Sequence, residues 1–254
     1  MKPSFLHHER PLLTTMVIGE TADHVVRLMR NAICQGADAF GFQLEWLHDD
    51  EKNPDVYRRL FEEAKGRPTY ATFYRGGNNR DERSDEELAN ELLTIADCGA
   101  TLCDVIGDLY AKDHPDQLTD DPVAIEKQMK LIDELHAKGA EVLVSSHVCR
   151  FTPAERVLEM ALEQKRRGAD IIKIVTAADT MEQQIENLRT TDLLKRELGA
   201  SFLFLSGGEC SLHRRLGIKL GCCMSLCVWE HDHISAAVQP LLSTMKTVRD
   251  FIDF

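Results

Sequence analysis

Eight alternations of a short β-rich run with a longer amphipathic stretch predict an α/β fold, a single (β/α)8 TIM barrel. Three observations carry this. The alternation is unbroken, and strands that alternate with helices pack as a parallel sheet. The length of 254 residues is close to the ~250 typical of this barrel. Gly36, Gly66, Gly99, Gly139, Gly168, Gly199 and Gly221 stand where helices should stop, most of them directly ahead of the next β-rich run. No linker, low-complexity tract or composition shift marks a second unit, so residues 1–254 read as one barrel domain.

The first β-rich run covers 12–19 (LLTTMVIG), and a helix over 21–34 follows, with Val25, Val26, Leu28, Met29 and Ile33 as its apolar face. The second run is 38–46 (DAFGFQLEW), with a helix near 54–64; the third is 69–75 (TYATFYR). A polar connection, 75–85, precedes a helix over 86–97 and reads as a solvated loop or lid, because its charges are mixed. The fourth run, 101–107, leads to a helix over 122–138. The fifth, 141–147 (EVLVSSH), leads to a helix over 153–167. The sixth, 170–177 (DIIKIVTA), leads to a helix over 181–198. The seventh, 201–207 (SFLFLSG), is followed by a helix near 211–219. The eighth, 222–229, precedes a last helix over 235–252.

Lys and Arg number 30 against 42 Asp and Glu, a formal charge of −12. That sign argues against a nucleic-acid binder. No apolar run approaches the ~20 residues of a membrane span, so no membrane partner is expected, and the N-terminus lacks the h-region of a secretory signal. The eight cysteines show no CxxC spacing, and several lie in apolar runs such as LGCCMSLCVW. Buried reduced thiols of this kind suit a cytoplasmic protein.

In this architecture, functional groups belong at the C-terminal ends of the strands. Lys173 lies inside the otherwise apolar sixth run. A buried ammonium is costly unless it is paired or loses its proton, and a desolvated amine is the nucleophile needed to form a Schiff base with a carbonyl. The alternative is a lysine salt-bridged to a neighbouring strand's carboxylate. His147 ends the fifth run, beside the sixth, where an imidazole would shuttle protons next to that amine.

The segments SSHVCRFTP and GADIIKI, with GFQLEW and SGGECSLHRRLGIKLGCCMSLCVW in order and spacing, resemble the type I 3-dehydroquinate dehydratase family, as a divergent member. The resemblance implies a carbon–oxygen lyase of the shikimate pathway that eliminates water from a cyclic β-hydroxy ketone through a lysine Schiff base, with no cofactor. It implies Lys173 as the Schiff-base lysine, His147 as general acid/base, Glu45 facing substrate hydroxyls, and Arg214 as the carboxylate-binding arginine. Arg215 is the alternative one residue away. The family's second-strand arginine is replaced by Leu47. Its third-strand arginine corresponds to Arg75 with a one-residue shift, and no glutamate follows at the family's distance to support the histidine, which leaves Asp104 as the nearest partner for His147. The family's loop serine and glutamine correspond to Trp229 and His233. The expected partner is a small hydroxy-keto acid, and a homodimer is left open.

Other clusters read more plainly. HDH at 231–233 has the spacing of some metal pairs, but no third ligand is identifiable and no metal is expected. HDD at 48–50 reads as a solvated turn, and His7 and His8 as surface groups. GGNN has too little pattern for a phosphate loop. A class I aldolase, which runs the same iminium chemistry on a C–C bond, and a non-catalytic metabolite-binding barrel are the two alternative readings.

Overall fold

A computed structural model describes residues 3–76, 83–235 and 238–252. Eight strands, β1 (Leu12–Val17), β2 (Ala39–Gln43), β3 (Thr69–Thr72), β4 (Leu102–Ile106), β5 (Glu141–His147), β6 (Ile171–Ala177), β7 (Ser201–Gly207) and β8 (Met224–Cys227), alternate with eight helices. The helices are α1 (Ala22–Gln35), α2 (Pro54–Glu63), α3 (Asp85–Cys98), α4 (Pro122–Ala137), α5 (Ala154–Arg166), α6 (Met181–Glu197), α7 (Leu212–Leu220) and α8 (Leu242–Phe251). The strands run parallel in the order β7-β6-β5-β4-β3-β2-β1-β8. Between the two end strands, the Cys223 N–H donates to the Phe202 carbonyl (2.9 Å), which draws the sheet toward closure. This is the (β/α)8 barrel that the alternation predicts.

Side chains from both faces of the strands are buried, as expected of a sheet covered by helices outside and filled inside. The helices begin where the sequence offers caps. Thr21, Asn53, Asp121 and Thr180 each accept a first-turn N–H, and Ser84 with Glu87 forms a reciprocal capping box. Gly41 on β2 has a specific use. A Cβ there would meet Met16 Sδ at 2.3 Å and Tyr70 Cδ1 at 3.1 Å, so its bareness makes room for two side chains that line the barrel mouth.

Three elements differ from the sequence reading. The second run stops as a strand at Gln43 and continues as a 3-10 turn, Leu44–Trp46, which carries Glu45. The third strand stops at Thr72, short of Arg75. The last helix starts at Leu242 instead of 235. Pro240 would break a helix begun that early, and the backbone there serves the sheet: Val228 N–H donates to Pro240 O (2.9 Å) and Leu242 N–H to Val228 O (2.8 Å). Most of the long polar connection (77–82) and part of the loop before α8 (236–237) lie outside the described residues, and the lid reading falls there.

Candidate active site

The strand register sets the site. Ser145 on β5 pairs with Lys173 on β6, and His147 with Val175. Lys173, Val175 and His147 therefore open on the same end of the barrel. They line a cavity of about 120 Å³ together with Met16, Gln43, Tyr70, Thr72, Tyr74, Leu205, Arg214, Leu226, Val238 and Gln239.

Lys173 is 4% exposed, and its ammonium is paired. Nζ lies 3.1 Å from Asp104 Oδ2, 2.8 Å from the Tyr70 hydroxyl and 3.1 Å from the Tyr74 hydroxyl. Both phenols donate to the same Asp104 oxygen. Ser145 Oγ donates to the other, Oδ1, at 2.5 Å. One carboxylate thus takes four donors, the arrangement in which an ion pair survives out of water. The salt bridge is the alternative weighed for Lys173, with its carboxylate on β4, one strand beyond the neighbouring β5, and one expectation is corrected: Asp104 holds Lys173 instead of His147. Asp104 is 1% exposed and does not line the cavity, so as it stands it meets the amine and not a substrate. Burial, followed by the Asp104 charge, holds both phenols well above the ordinary tyrosine range, so both stay donors.

The partner of His147 is Gln117, in the loop after β4. Its Oε1 accepts the His147 backbone N–H (2.5 Å) and lies 3.1 Å from Nδ1. A carbonyl oxygen there requires the proton on Nδ1 and leaves the Nε2 lone pair free to act as a base. Gln117 has φ of +47°. Its own carbonyl packs where a Cβ on Gly107 would come within 2.6 Å, so Gly107 makes this close approach feasible. Burial, then the Lys173 charge, pushes the imidazole down to about 3, with Asp104 opposing and Arg214 adding to the fall. Between the two groups stands Tyr74, its ring edge-on to His147 at 5.4 Å.

Arg214, on α7, reaches the cavity, and its Nε donates to the Ser206 carbonyl at 3.1 Å. Among the described residues it pairs with no carboxylate. Burial lowers its guanidinium to about 10, which leaves it a cation at neutral pH. Arg215 instead bonds Ser211 of its own helix.

The remaining expected residues lie elsewhere. Glu45 is 2% exposed, behind Thr72 and Gln43, which line the cavity in its place. Thr72 donates to both its oxygens (2.9 and 3.2 Å) and Gln43 to one (3.3 Å), yet burial still pushes its carboxyl up to about 7. Arg75 is bound to Asp85 (2.7 and 2.6 Å) and Asp108 (2.9 Å). It ties the third-strand loop to the start of α3 and does not line the cavity, because β3 ends three residues before it. Trp229 packs half-buried against the core and His233 is exposed; neither lines the cavity. The parallel bridge between Val228 and Leu241 makes the chain between them an excursion that returns to the mouth, so the residues just before Leu241 reach it. Gln239 is one of these and lines the cavity. Its Oε1 is buried with no partner among the described residues, while its backbone oxygen accepts from His231 Nε2 (2.8 Å). The His231 ring is occupied in this way, and no group of three metal-ligating side chains occurs among the described residues. Sequence reasoning missed Tyr70, Tyr74, Ser145, Gln117 and Gln239; both tyrosines stand in TYATFYR, Tyr70 within the third strand and Tyr74 two residues past its end.

The chain is a parallel eight-stranded (β/α)8 barrel in which a buried lysine, a histidine and an arginine with no carboxylate partner among the described residues line one small cavity. The particular family follows from the sequence: the type I 3-dehydroquinase family model matches residues 13–253, and the chain belongs to that family. Solved structures with this fold include the type I 3-dehydroquinate dehydratase of Clostridium difficile, with covalent modified comenic acid (TM-score 0.80, 16% identity, 95% of this chain and 92% of that one). The 3-dehydroquinate dehydratase of Geobacillus kaustophilus HTA426 is similar (TM-score 0.78, 18% identity, 94% and 90%), as is that of Enterococcus faecalis (TM-score 0.73, 18% identity, 97% and 99%). Comparison with curated proteins finds no match.

Proposed function

We propose that this chain dehydrates 3-dehydroquinate through a Schiff base on Lys173, with His147 as general acid and base. The observation that carries the proposal is the convergence of Lys173, His147 and Arg214 on one cavity. Arg214 would hold the substrate carboxylate, for which its planar fork is suited, with the Gln239 amide beside it. The amine of Lys173 attacks the ketone, and loss of water gives an iminium ion. The cationic nitrogen acidifies the neighbouring C–H, because the carbanion left behind delocalises as an enamine. His147, neutral with its Nε2 lone pair free, takes that proton and returns one to the departing β-hydroxyl. Hydrolysis of the imine frees the lysine. Covalent attachment splits one difficult elimination into easier steps.

The two family positions filled differently are compatible with this. Leu47 is buried in the core, so no cation stands there, and the Gln117 amide oxygen orients the histidine at Nδ1 without supplying the negative charge a glutamate would. The covalently modified ligand of the Clostridium difficile protein supports covalent capture at a site of this architecture. All eight cysteines are free thiols, which supports a cytoplasmic setting. No helix among the described residues is long and apolar enough to cross a membrane. The test is direct. Incubation with 3-dehydroquinate should raise the absorbance of a conjugated enone, and Lys173→Ala should abolish the rise. Turnover that survives that substitution would refute the proposal.

A further inference from the structure

The barrel that holds Lys173 also poses a problem for it. An amine attacks a carbonyl only after losing its proton, and this one is ion-paired with Asp104. The groups within hydrogen-bond reach of Nζ are the Tyr70 and Tyr74 hydroxyls and Asp104, not the His147 imidazole. The group placed to receive it is the carboxylate 3.1 Å away. A hydroxyl must later leave the carbon joined to Nζ, and that needs an acid within reach of an atom two bonds from Nζ. The Tyr74 hydroxyl is 3.1 Å from Nζ, donates to Asp104, and lies 3.3 Å from Ser145 Oγ.

Resting on the Schiff-base reading above, we propose that Tyr74 is a catalytic acid, relaying a proton from Asp104 to the oxygen that leaves as water when the imine forms. The steps balance. Lys173 Nζ gives one proton to Asp104 Oδ2, leaving a neutral amine and a carboxylic acid. The nitrogen lone pair forms the C–N bond, and the carbonyl π pair moves onto oxygen. Tyr74 protonates that oxygen and is reprotonated by Asp104. The new ammonium then returns a proton to Asp104, giving a neutral carbinolamine. In the second half the nitrogen lone pair forms C=N, the C–O bond breaks, and the leaving hydroxyl takes the Tyr74 proton, which Asp104 again replaces. Water departs, and the iminium cation faces the Asp104 carboxylate, with the same net charge as at the start.

Tyr74 fits this role better than Tyr70. Tyr70 is fully buried, whereas Tyr74 is only partly buried at the mouth and lies between Lys173 and His147. The raised phenol keeps its proton until an alkoxide, a far stronger base, forms beside it.

The experiment is rapid-quench borohydride trapping with 3-dehydroquinate, comparing the natural chain with Tyr74→Phe and Tyr70→Phe. Phe keeps the ring against His147 and removes only the phenol. Tyr74→Phe should slow adduct formation by about 10²-fold, in the range of general acid catalysis, with the half-saturating substrate concentration little changed. Tyr70→Phe should slow it much less. Trapping by Tyr74→Phe at the natural rate overturns the inference. So does an equal effect of Tyr70→Phe, which would mean the phenols only hold the ion pair. Failure of the natural chain to trap at all is a separate result and removes the Schiff-base reading with it. Should Tyr74→Phe fail to fold, 3-fluorotyrosine at position 74 keeps every contact and is a stronger acid. It should speed trapping, and an unchanged rate overturns the relay.

Discussion

Replacing Asp104 with Asn tests whether the buried ion pair is organised as described. The side chains of Lys173 and Asp104 are 5% and 0% exposed, so solvent screens the pair little. An asparagine offers one acceptor oxygen where the carboxylate offers two, and it sets an N–H₂ group against hydroxyls that are themselves donating. The Lys173 ammonium is then stranded. Breaking a buried pair from one side costs about 3–5 kcal/mol. For a chain of this size, about 2–4 °C of melting temperature accompanies each kcal/mol, so Tm should fall by roughly 6–20 °C. The double variant Asp104→Asn with Lys173→Met removes the stranded charge as well. It should be less destabilised than the sum of the single variants, by at least about 2 kcal/mol. Urea denaturation of the four proteins measures this cycle. Additivity within ~0.5 kcal/mol, or an Asp104→Asn protein that melts with the natural one, would refute the ion-pair account.

Other perturbations separate the remaining groups. Glu45 has its carboxyl raised to about 7 on folding, so its contribution is fully present below the unfolded value near 4.5 and is lost as pH rises through about 7, a cost of about 3 kcal/mol. Glu45→Gln should therefore gain stability relative to the natural chain between pH 5 and pH 8, and a gap in Tm that does not change with pH would contradict this. His147, lowered to about 3, should show no imidazole titration by NMR between pH 5 and 8. Gln117→Glu places an anion at Nδ1 and should bring that titration upward into view. Arg214→Ala should raise KM for the carboxylate substrate by about 10²-fold while leaving borohydride trapping of an uncharged ketone intact; an unchanged KM would mean that the anion binds elsewhere.

The barrel was legible because each of its units repeats the same physical pattern, and the glycines that end helices are local signals. Lys173 was legible for the opposite reason: a charge within DIIKIVTA violates the pattern of its strand. Its compensation was not. Tyr70 and Tyr74 look like ordinary strand aromatics, and nothing along the chain says that a phenol from β3, a second from just past its end and a carboxylate from β4 meet an amine from β6. Gln117 is one polar residue in a polar loop, and its role depends on a left-handed backbone and on the space beside Gly107. The loop before α8 misled because Trp229 and His233 follow β8 directly, whereas the Val228–Leu241 bridge gives Gln239 the place at the mouth. Arg75 misled because its distance from the strand end, which decides whether a side chain reaches the cavity or the rim, is fixed by where β3 stops.

The central claim is covalent chemistry at one lysine, and it can be read as a mass. The protein is incubated with 3-dehydroquinate, reduced with borohydride, digested, and its peptides are weighed. The account predicts a stable amine adduct confined to the peptide that contains Lys173, absent from Lys173→Ala and formed at a rate compatible with turnover. Dehydration of 3-dehydroquinate with no adduct on Lys173, or with the adduct on another lysine, would contradict it.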